Sequence, residues 1–142
     1  MHEALIEATL EQILANHPQY PRDAYLFVRE ALDHTQKAVA KGNRLKRQHV
    51  TGQELLAGIR EYALQQFGPM TLTLFEEWNI RSCRDFGEIV FNMVESGILG
   101  KTERDSRADF DGGYDFDEAF RKPFLPPSKL AVLEKEAKAA QA

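Results

Sequence analysis

The amino-acid sequence predicts a mainly α-helical fold that ends in a short β-hairpin, which is an α+β class. Three observations predict it. Apolar residues recur every three or four positions up to residue 97, helix caps and breakers separate these runs, and beyond residue 98 the period falls to two. Since 142 residues suffice for one sizeable core, we expect a single domain over residues 1–125 and a flexible or helical tail over residues 126–142.

Two helices are predicted in the N-terminal part of the chain. The first ends at Asn16-His17-Pro18, and the second begins at Pro21, where the missing N–H of proline is tolerated. Gly42-Asn43 ends the second helix. This second helix carries the clearest helical stripe in the chain, which consists of Ala24, Phe27, Val28, Ala31, Leu32 and Thr35.

Three further helices are predicted from their caps. Thr51-Gly52-Gln53-Glu54 has the spacing of a capping box, and Gly68-Pro69 ends the helix that follows it. A short helix over Pro69–Trp78 closes at Asn79, and Ser82 caps a helix over Cys83–Ser96 that Gly97 ends. We expect the core to contain Phe27, Leu32, Leu56, Ile59, Phe75, Trp78, Phe86, Ile89, Val90 and Met93.

The hairpin is predicted from the change of period after the last helix. Ile98, Leu99 and Thr102 suit one strand, and Tyr114 and Phe116 alternate with aspartates as in a half-buried second strand. The polar, glycine-bearing stretch over 105–113 suits the tip between them.

Residues 68–118 resemble a winged helix-turn-helix. The features that carry this resemblance are the helix Pro69–Trp78, the turn Asn79-Ile80-Arg81, the capped helix Cys83–Ser96 and the predicted hairpin, with Thr51–Phe67 as the first helix of three. The resemblance implies a winged-helix-like core with two extra N-terminal helices, and DNA binding. The outward face of its recognition helix would hold one cation, Arg84, among acids that phosphate would repel, namely Asp85, Glu88 and Glu95.

The chain also resembles a small bacterial protein family of unknown function. The segments that carry this second resemblance lie within residues 18–124 and read YPRDAYLFVREAL (20–32), HVTGQELLAGIREYALQQFGPM (49–70) and DFGEIVFNMVESGILGKTERDSRADFDGGYDFDEAF (85–120). It implies no activity and no site residues.

The composition favours a cytoplasmic protein without catalytic, cofactor or metal sites. The net charge of −4 gives no overall attraction to nucleic acid or anionic membranes, and the chain has no apolar run long enough for a membrane helix. The single cysteine, Cys83, excludes an internal disulfide. Its place at a helix N-terminus between Arg81 and Arg84 would lower the pKa of the thiol, but no histidine lies near it in sequence to act as a base.

Two surface clusters are candidate binding sites. In the first, Phe110 is an aromatic anchor for a basic protein partner, ringed by acids that steer it, namely Asp109, Asp111, Asp115 and Asp117. Two alternatives are that these acids only protect the hairpin edge from pairing with other chains, or that their oxygen atoms bind a calcium or magnesium ion. The second cluster suits anions and consists of Lys37, Lys41, Arg44, Lys46 and Arg47. Its alternative is a solvated linker.

These observations predict a non-enzymatic protein-interaction module. One alternative is a DNA- or RNA-binding regulator that uses the winged helix or the basic segment 37–47. A second alternative, a small enzyme, lacks a visible set of acid, base and nucleophile. The sequence names neither the partner nor the oligomeric state.

Overall fold

The computed structural model describes residues 3–42, 50–99, 107–126 and 135–136. Its α-helices are α1 (Glu3–Asn16), α2 (Arg22–Gly42), α3 (Gly52–Phe67), α4 (Thr71–Glu77) and α5 (Cys83–Glu95). Short 3₁₀ turns cover Gly68–Met70, Arg107–Phe110 and Lys122–Phe124, and a π-helical turn covers Asp117–Arg121. No helix in these ranges is long and apolar enough to cross a membrane.

The capping box predicted at the start of α3 is confirmed. The Thr51 hydroxyl accepts a hydrogen bond from the backbone N–H of Glu54 at 3.1 Å, and the Glu54 carboxylate accepts one from the Thr51 N–H at 3.0 Å. Two N–H groups that the first helical turn cannot satisfy are thereby paired, so α3 begins where the sequence places it.

Left-handed residues end α4 and α5, as predicted. Asn79 has a φ of 60°, and the N–H after it, of Ile80, donates to the Phe75 carbonyl at 2.8 Å. Gly97 has a φ of 86°, and the N–H of Ile98 donates to the Met93 carbonyl at 3.0 Å. This Schellman geometry turns the chain back over each helix.

Helix α2 lies at the centre of the fold, between α3 and α5. Its inward face is buried and consists of Ala24, Phe27, Val28, Ala31 and Thr35. The contact with α3 is closest at Gly58, where a Cβ atom would lie 1.7 Å from the Thr35 Oγ1 atom. Only a glycine lets the two helices approach to this distance.

An aromatic cluster joins the helices to the C-terminal part of the chain, with Phe75 of α4 at its centre. The Phe75 ring centroid lies 5.5 Å from that of Phe27 and 5.4 Å from that of Phe86. It lies 5.8 Å from the ring of Phe116 and 5.2 Å from the ring of Phe120. Residues far apart in sequence therefore share one core.

Most of the predicted core is buried in the structure, namely Phe27, Leu56, Ile59, Phe75, Phe86, Ile89 and Met93. Leu32, Trp78 and Val90 are half-buried and pack against that core. Of the predicted tail, the structure describes Pro126, Lys135 and Glu136, and the rest lies outside the described residues.

The prediction of a C-terminal hairpin, and with it the α+β class, is wrong for the described residues, which contain no strand. Phe116 and Phe120 lie one helical turn apart and both point into the core. The alternation that indicated a strand spans only Tyr114 to Asp117, too few residues to outweigh this packing. Thr102 and Asp105 lie outside the described residues.

The wing of a winged helix is a β-hairpin, so the absence of strands from the described residues contradicts that part of the winged-helix prediction. The likeness of α3, α4 and α5 to the three helices of that family stays a prediction.

Candidate interaction surfaces

The ring of Phe110, predicted as an exposed anchor for a partner, lies in the protein interior. Its side chain is 2% exposed and packs over Gly87 of α5 and Gly52 of α3. A Cβ atom on Gly87 would lie 2.9 Å from the Cβ and Cγ atoms of Phe110. The ring also meets Phe91 edge-on, with centroids 6.3 Å apart. In this conformation Phe110 is not available to a partner.

The four aspartates near Phe110 in sequence do not ring an exposed aromatic. Asp111, Asp115 and Asp117 are exposed, and Asp109 is half-buried. The Asp115 carboxylate accepts a hydrogen bond from the Glu118 N–H at 3.2 Å, and the Asp117 carboxylate lies 3.4 Å from the Arg121 guanidinium. Asp115 and Asp117 therefore stabilise helical turns of their own segment.

Residues 107–126, called here the C-terminal segment, are held on the helices by polar contacts as well as by aromatic rings. The Tyr114 hydroxyl donates to the Leu56 carbonyl at 2.8 Å, and the Tyr114 N–H donates to the Cys83 sulfur at 3.4 Å. The Gln53 side-chain amide donates to the Asp109 carbonyl at 3.0 Å. The segment thus covers the N-terminal ends of α3 and α5.

Cys83 is part of this contact and is not a reactive thiol in the structure. Its side chain is 3% exposed, and burial raises the pKa of the thiol, which the hydrogen bond from the Tyr114 backbone only partly opposes. Burial therefore opposes the lowering expected from the helix N-terminus and the flanking arginines. Across the part of the chain that the structure describes, no group of three or more His, Cys, Asp or Glu side chains could hold a metal ion.

The face of α5 that would read DNA is largely covered. Phe110 packs on Gly87, and the buried Asn92 amide donates to the Tyr25 hydroxyl at 3.0 Å. The Asp85 carboxylate accepts the Tyr20 hydroxyl at 2.5 Å, and within α5 only Arg84 and Glu95 remain exposed. The row of α5 that is exposed or half-buried at the surface consists of Arg84, Glu88, Phe91 and Glu95, and its two acids beside one cation would be repelled by phosphate.

The basic cluster is described only in part. Lys37 and Lys41 lie on the exposed face of α2, and the Lys37 ammonium lies 2.9 Å from the Asp33 carboxylate. Arg44, Lys46 and Arg47 lie outside the described residues.

A trough follows the outer face of α2, with a cavity volume of about 600 Å³. We call it the α2 trough. It is lined by Leu26, Arg29, Glu30, Leu32, Asp33, His34, Gln36 and Lys37 of α2, together with Tyr62 of α3 and Leu99. Its leucines and tyrosine are half-buried, whereas Arg29, Glu30, Asp33 and Lys37 are exposed, so an apolar floor lies beside a charged rim.

The acidic groups in and beside the trough already have partners. The Tyr62 hydroxyl donates to Glu30 at 3.1 Å, and burial together with Glu30 raises the pKa of this phenol, so it stays a donor. The Glu61 carboxylate accepts a hydrogen bond from the Gln65 amide at 3.3 Å, whereas the His34 Nε2 atom, 3.6 Å from Glu61, is buried without a hydrogen-bond partner among the described residues. Arg29 has no hydrogen-bond or ion-pair partner among the residues described.

Sequence reasoning missed the α2 trough, although it placed Lys37 in a binding cluster. One signal lay in α2 itself: around the helix axis, Leu26 shares a face with Arg29 and Glu30, on the side opposite the buried stripe. The neighbours from other elements, Tyr62 and Leu99, carry no such signal because only the tertiary fold brings them to α2.

No family model, no curated protein and no solved structure matches this chain. Both resemblances noted in the sequence therefore stay predictions.

Proposed function

We propose that this protein is a non-enzymatic interaction module and that its protein partner docks in the α2 trough. The single observation that carries the proposal is the trough itself, an apolar floor with a charged rim along one helix. An apolar centre bordered by polar groups is the usual anatomy of a protein–protein interface.

The trough is built on a rigid element, which favours binding. The inner face of α2 is fully buried at Ala24, Val28 and Ala31, and Thr35 fits against Gly58 of α3. A helix fixed in this way presents its outer face with little ordering left to occur on binding, and preorganisation reduces the entropic penalty of association.

Three parts of the chain contribute apolar side chains to the floor of the trough. Leu26 and Leu32 come from α2, Tyr62 comes from α3, and Leu99 follows α5, so the surface spans several elements. Half-buried leucines and a tyrosine lose their remaining contact with water when a partner covers them, and tyrosine is enriched among residues that dominate binding energy.

The regulator alternative receives less support from the geometry, because α5 is covered by the C-terminal segment and by Tyr25. The enzyme alternative would require the trough to hold a nucleophile with a base. Its only neutral hydroxyl, that of Tyr62, is held by Glu30 and has a raised pKa.

Site-specific photo-cross-linking tests the proposal. A photoreactive benzoylphenylalanine replaces Gln36, which lines the trough and is half-buried. In cells that make the protein, we expect one reproducible cross-linked protein at this position, identified by mass spectrometry. Unlabelled wild-type chain should compete for it, whereas Gln36→Trp, which fills the trough without changing charge, should not.

Two matched positions serve as controls. The same photoreactive residue replaces the exposed Glu76 of α4 or the exposed Asp111 of the C-terminal segment. If the same protein is captured equally at Glu76, docking in the trough is refuted. If capture is strongest at Asp111, the docking site lies on the C-terminal segment instead.

A further inference from the structure

We infer that the occupant of the α2 trough is an acidic, leucine-containing peptide segment whose carboxylate is bound by Arg29. This inference rests on the proposed function and specifies the chemistry of the partner. It follows from which charges in the trough are already paired and which are not.

The charge inventory of the trough leaves one strong donor unused. Lys37 contacts Asp33 at 2.9 Å, and Glu30 accepts the Tyr62 hydroxyl at 3.1 Å. Arg29 is exposed and has no partner in the described ranges. A guanidinium offers two parallel N–H groups to a carboxylate, a geometry that a lysine cannot reproduce.

A second unused cation lies further along the same helix. Lys41 is exposed and, among the residues described, has no ion-pair partner. Twelve residues separate it from Arg29, about 18 Å along the α2 axis and about a third of a turn around it, so Lys41 lies outside the lining of the trough.

The remaining groups of the trough distinguish a peptide from a continuous polyanion. Glu30 and Asp33 stay exposed on the rim beside Arg29. These carboxylates would repel a phosphate backbone that carries a charge at every step. A peptide can place an acid at Arg29 alone and an apolar side chain over Leu26 and Leu32, where burial adds affinity.

Fluorescence anisotropy with a defined probe tests the inference. The probe is a fluorescein-labelled short peptide of glutamate, leucine and glycine, and the comparison peptide has glutamine in place of every glutamate. We expect the full-length chain to bind the first peptide more tightly. Arg29→Gln should weaken that binding about tenfold, because it removes the charge-assisted hydrogen bonds to the carboxylate.

Arg84→Gln is the matched control, because it removes the same charge from an exposed arginine outside the trough. We expect it to leave binding unchanged. The inference is overturned if both arginine variants weaken binding equally, if the glutamine peptide binds as tightly as the glutamate peptide, or if no binding is detected. Equal or tighter binding of single-stranded RNA that Arg29→Gln also weakens would overturn it in favour of a nucleic-acid partner.

The two proposals fail separately. A cross-linked partner at Gln36 without binding of the acidic peptide refutes only the inference about carboxylates. Loss of the Gln36 cross-link in favour of another position refutes docking in the trough, and with it the basis of the inference.

Discussion

The crossing of α2 with α3 and the docking of the C-terminal segment each depend on a glycine. The two glycines differ in the residue that packs against them. At Gly58 the neighbour is Thr35, a β-branched residue inside a long helix, and a Cβ atom would lie 1.7 Å from its hydroxyl. At Gly87 the neighbour is Phe110 in a short 3₁₀ turn, at 2.9 Å.

The two contacts differ in how much of the fold must move when a larger residue replaces the glycine. Moving Thr35 means moving α2, which carries the buried face of the whole core. Moving Phe110 means moving a short segment that contacts α3 and α5 from outside. We therefore expect the first contact to determine global stability and the second to determine a local opening.

The largest effect is expected for Gly58→Ala. The new methyl group would overlap Thr35, and α2 and α3 would have to separate along their length. We expect a loss of about 3 kcal/mol in the free energy of unfolding, at the upper end for overpacking. Urea unfolding followed by circular dichroism and by the fluorescence of Trp78 measures it, and the two signals should change together.

Thr35→Ala added to Gly58→Ala provides the control. It removes the Thr35 Oγ1 atom at 1.7 Å and the Cγ2 atom at 2.9 Å, while the Cβ atom at 2.8 Å remains. Stability should recover in part. A loss below about 1 kcal/mol for Gly58→Ala alone would mean that the crossing yields easily, contrary to the proposed difference.

A smaller and more local effect is expected for Gly87→Ala. Its methyl group would displace Phe110, and the C-terminal segment would detach from α5 more often, at a free-energy cost of about 2 kcal/mol. Cys83 reports this opening, because it is the only cysteine and its sulfur is covered by Tyr114 and Gly113. The rate of thiol labelling should rise about tenfold or more, with unchanged circular dichroism.

Phe124→Ala is the comparison for that measurement. Phe124 belongs to the same segment but is 43% exposed. Its loss should leave labelling of Cys83 unchanged. Equal labelling in Gly87→Ala and the wild type would show that docking of the segment does not depend on the packing of Phe110 against Gly87.

The contrast between these regions also explains which features could be predicted from sequence. The ends of α3, α4 and α5 follow from local signals at Thr51, Asn79 and Gly97, whose effects reach only a few residues. The C-terminal segment is shaped by distant partners, since Phe110 fits over Gly87 and Phe116 packs on Phe75.

One local clue to the helical turns was present and was outweighed by the alternation of aromatics and acids. Asp117 with Arg121, and Glu118 with Lys122, have opposite charges four residues apart, and both pairs form at 3.4 Å. For the α2 trough, sequence indicated Lys37 and Lys41 as exposed cations. It could not indicate that Arg29 is left unpaired, because Asp33, four residues on, could pair with either Arg29 or Lys37, and in the structure it pairs with Lys37.

The smallest effect at neutral pH is expected for Tyr114→Phe, which separates hydrogen bonding of the C-terminal segment from its packing. The variant keeps the ring, which lies 5.7 Å from that of Phe120, and loses the hydrogen bond to the Leu56 carbonyl. We expect about 1 kcal/mol lower stability near pH 7, measured by urea unfolding.

The pH dependence of the same variant sharpens the test. Burial, reinforced by Cys83 and weakly opposed by Arg60, raises the pKa of the Tyr114 phenol above its ordinary value near 10. A raised folded-state pKa means that stability from the neutral phenol is complete below about pH 10 and falls as pH rises, because the unfolded chain releases its proton first. Tyr114→Phe should therefore lose stability less steeply than the wild type above about pH 10, although Tyr20 and Tyr25, whose pKa values are also raised, keep part of the slope. An unchanged slope would mean that the C-terminal segment detaches before Tyr114 ionises, and the thiol labelling rate of Cys83 in the wild type would then rise over the same pH range by more than thiolate formation accounts for.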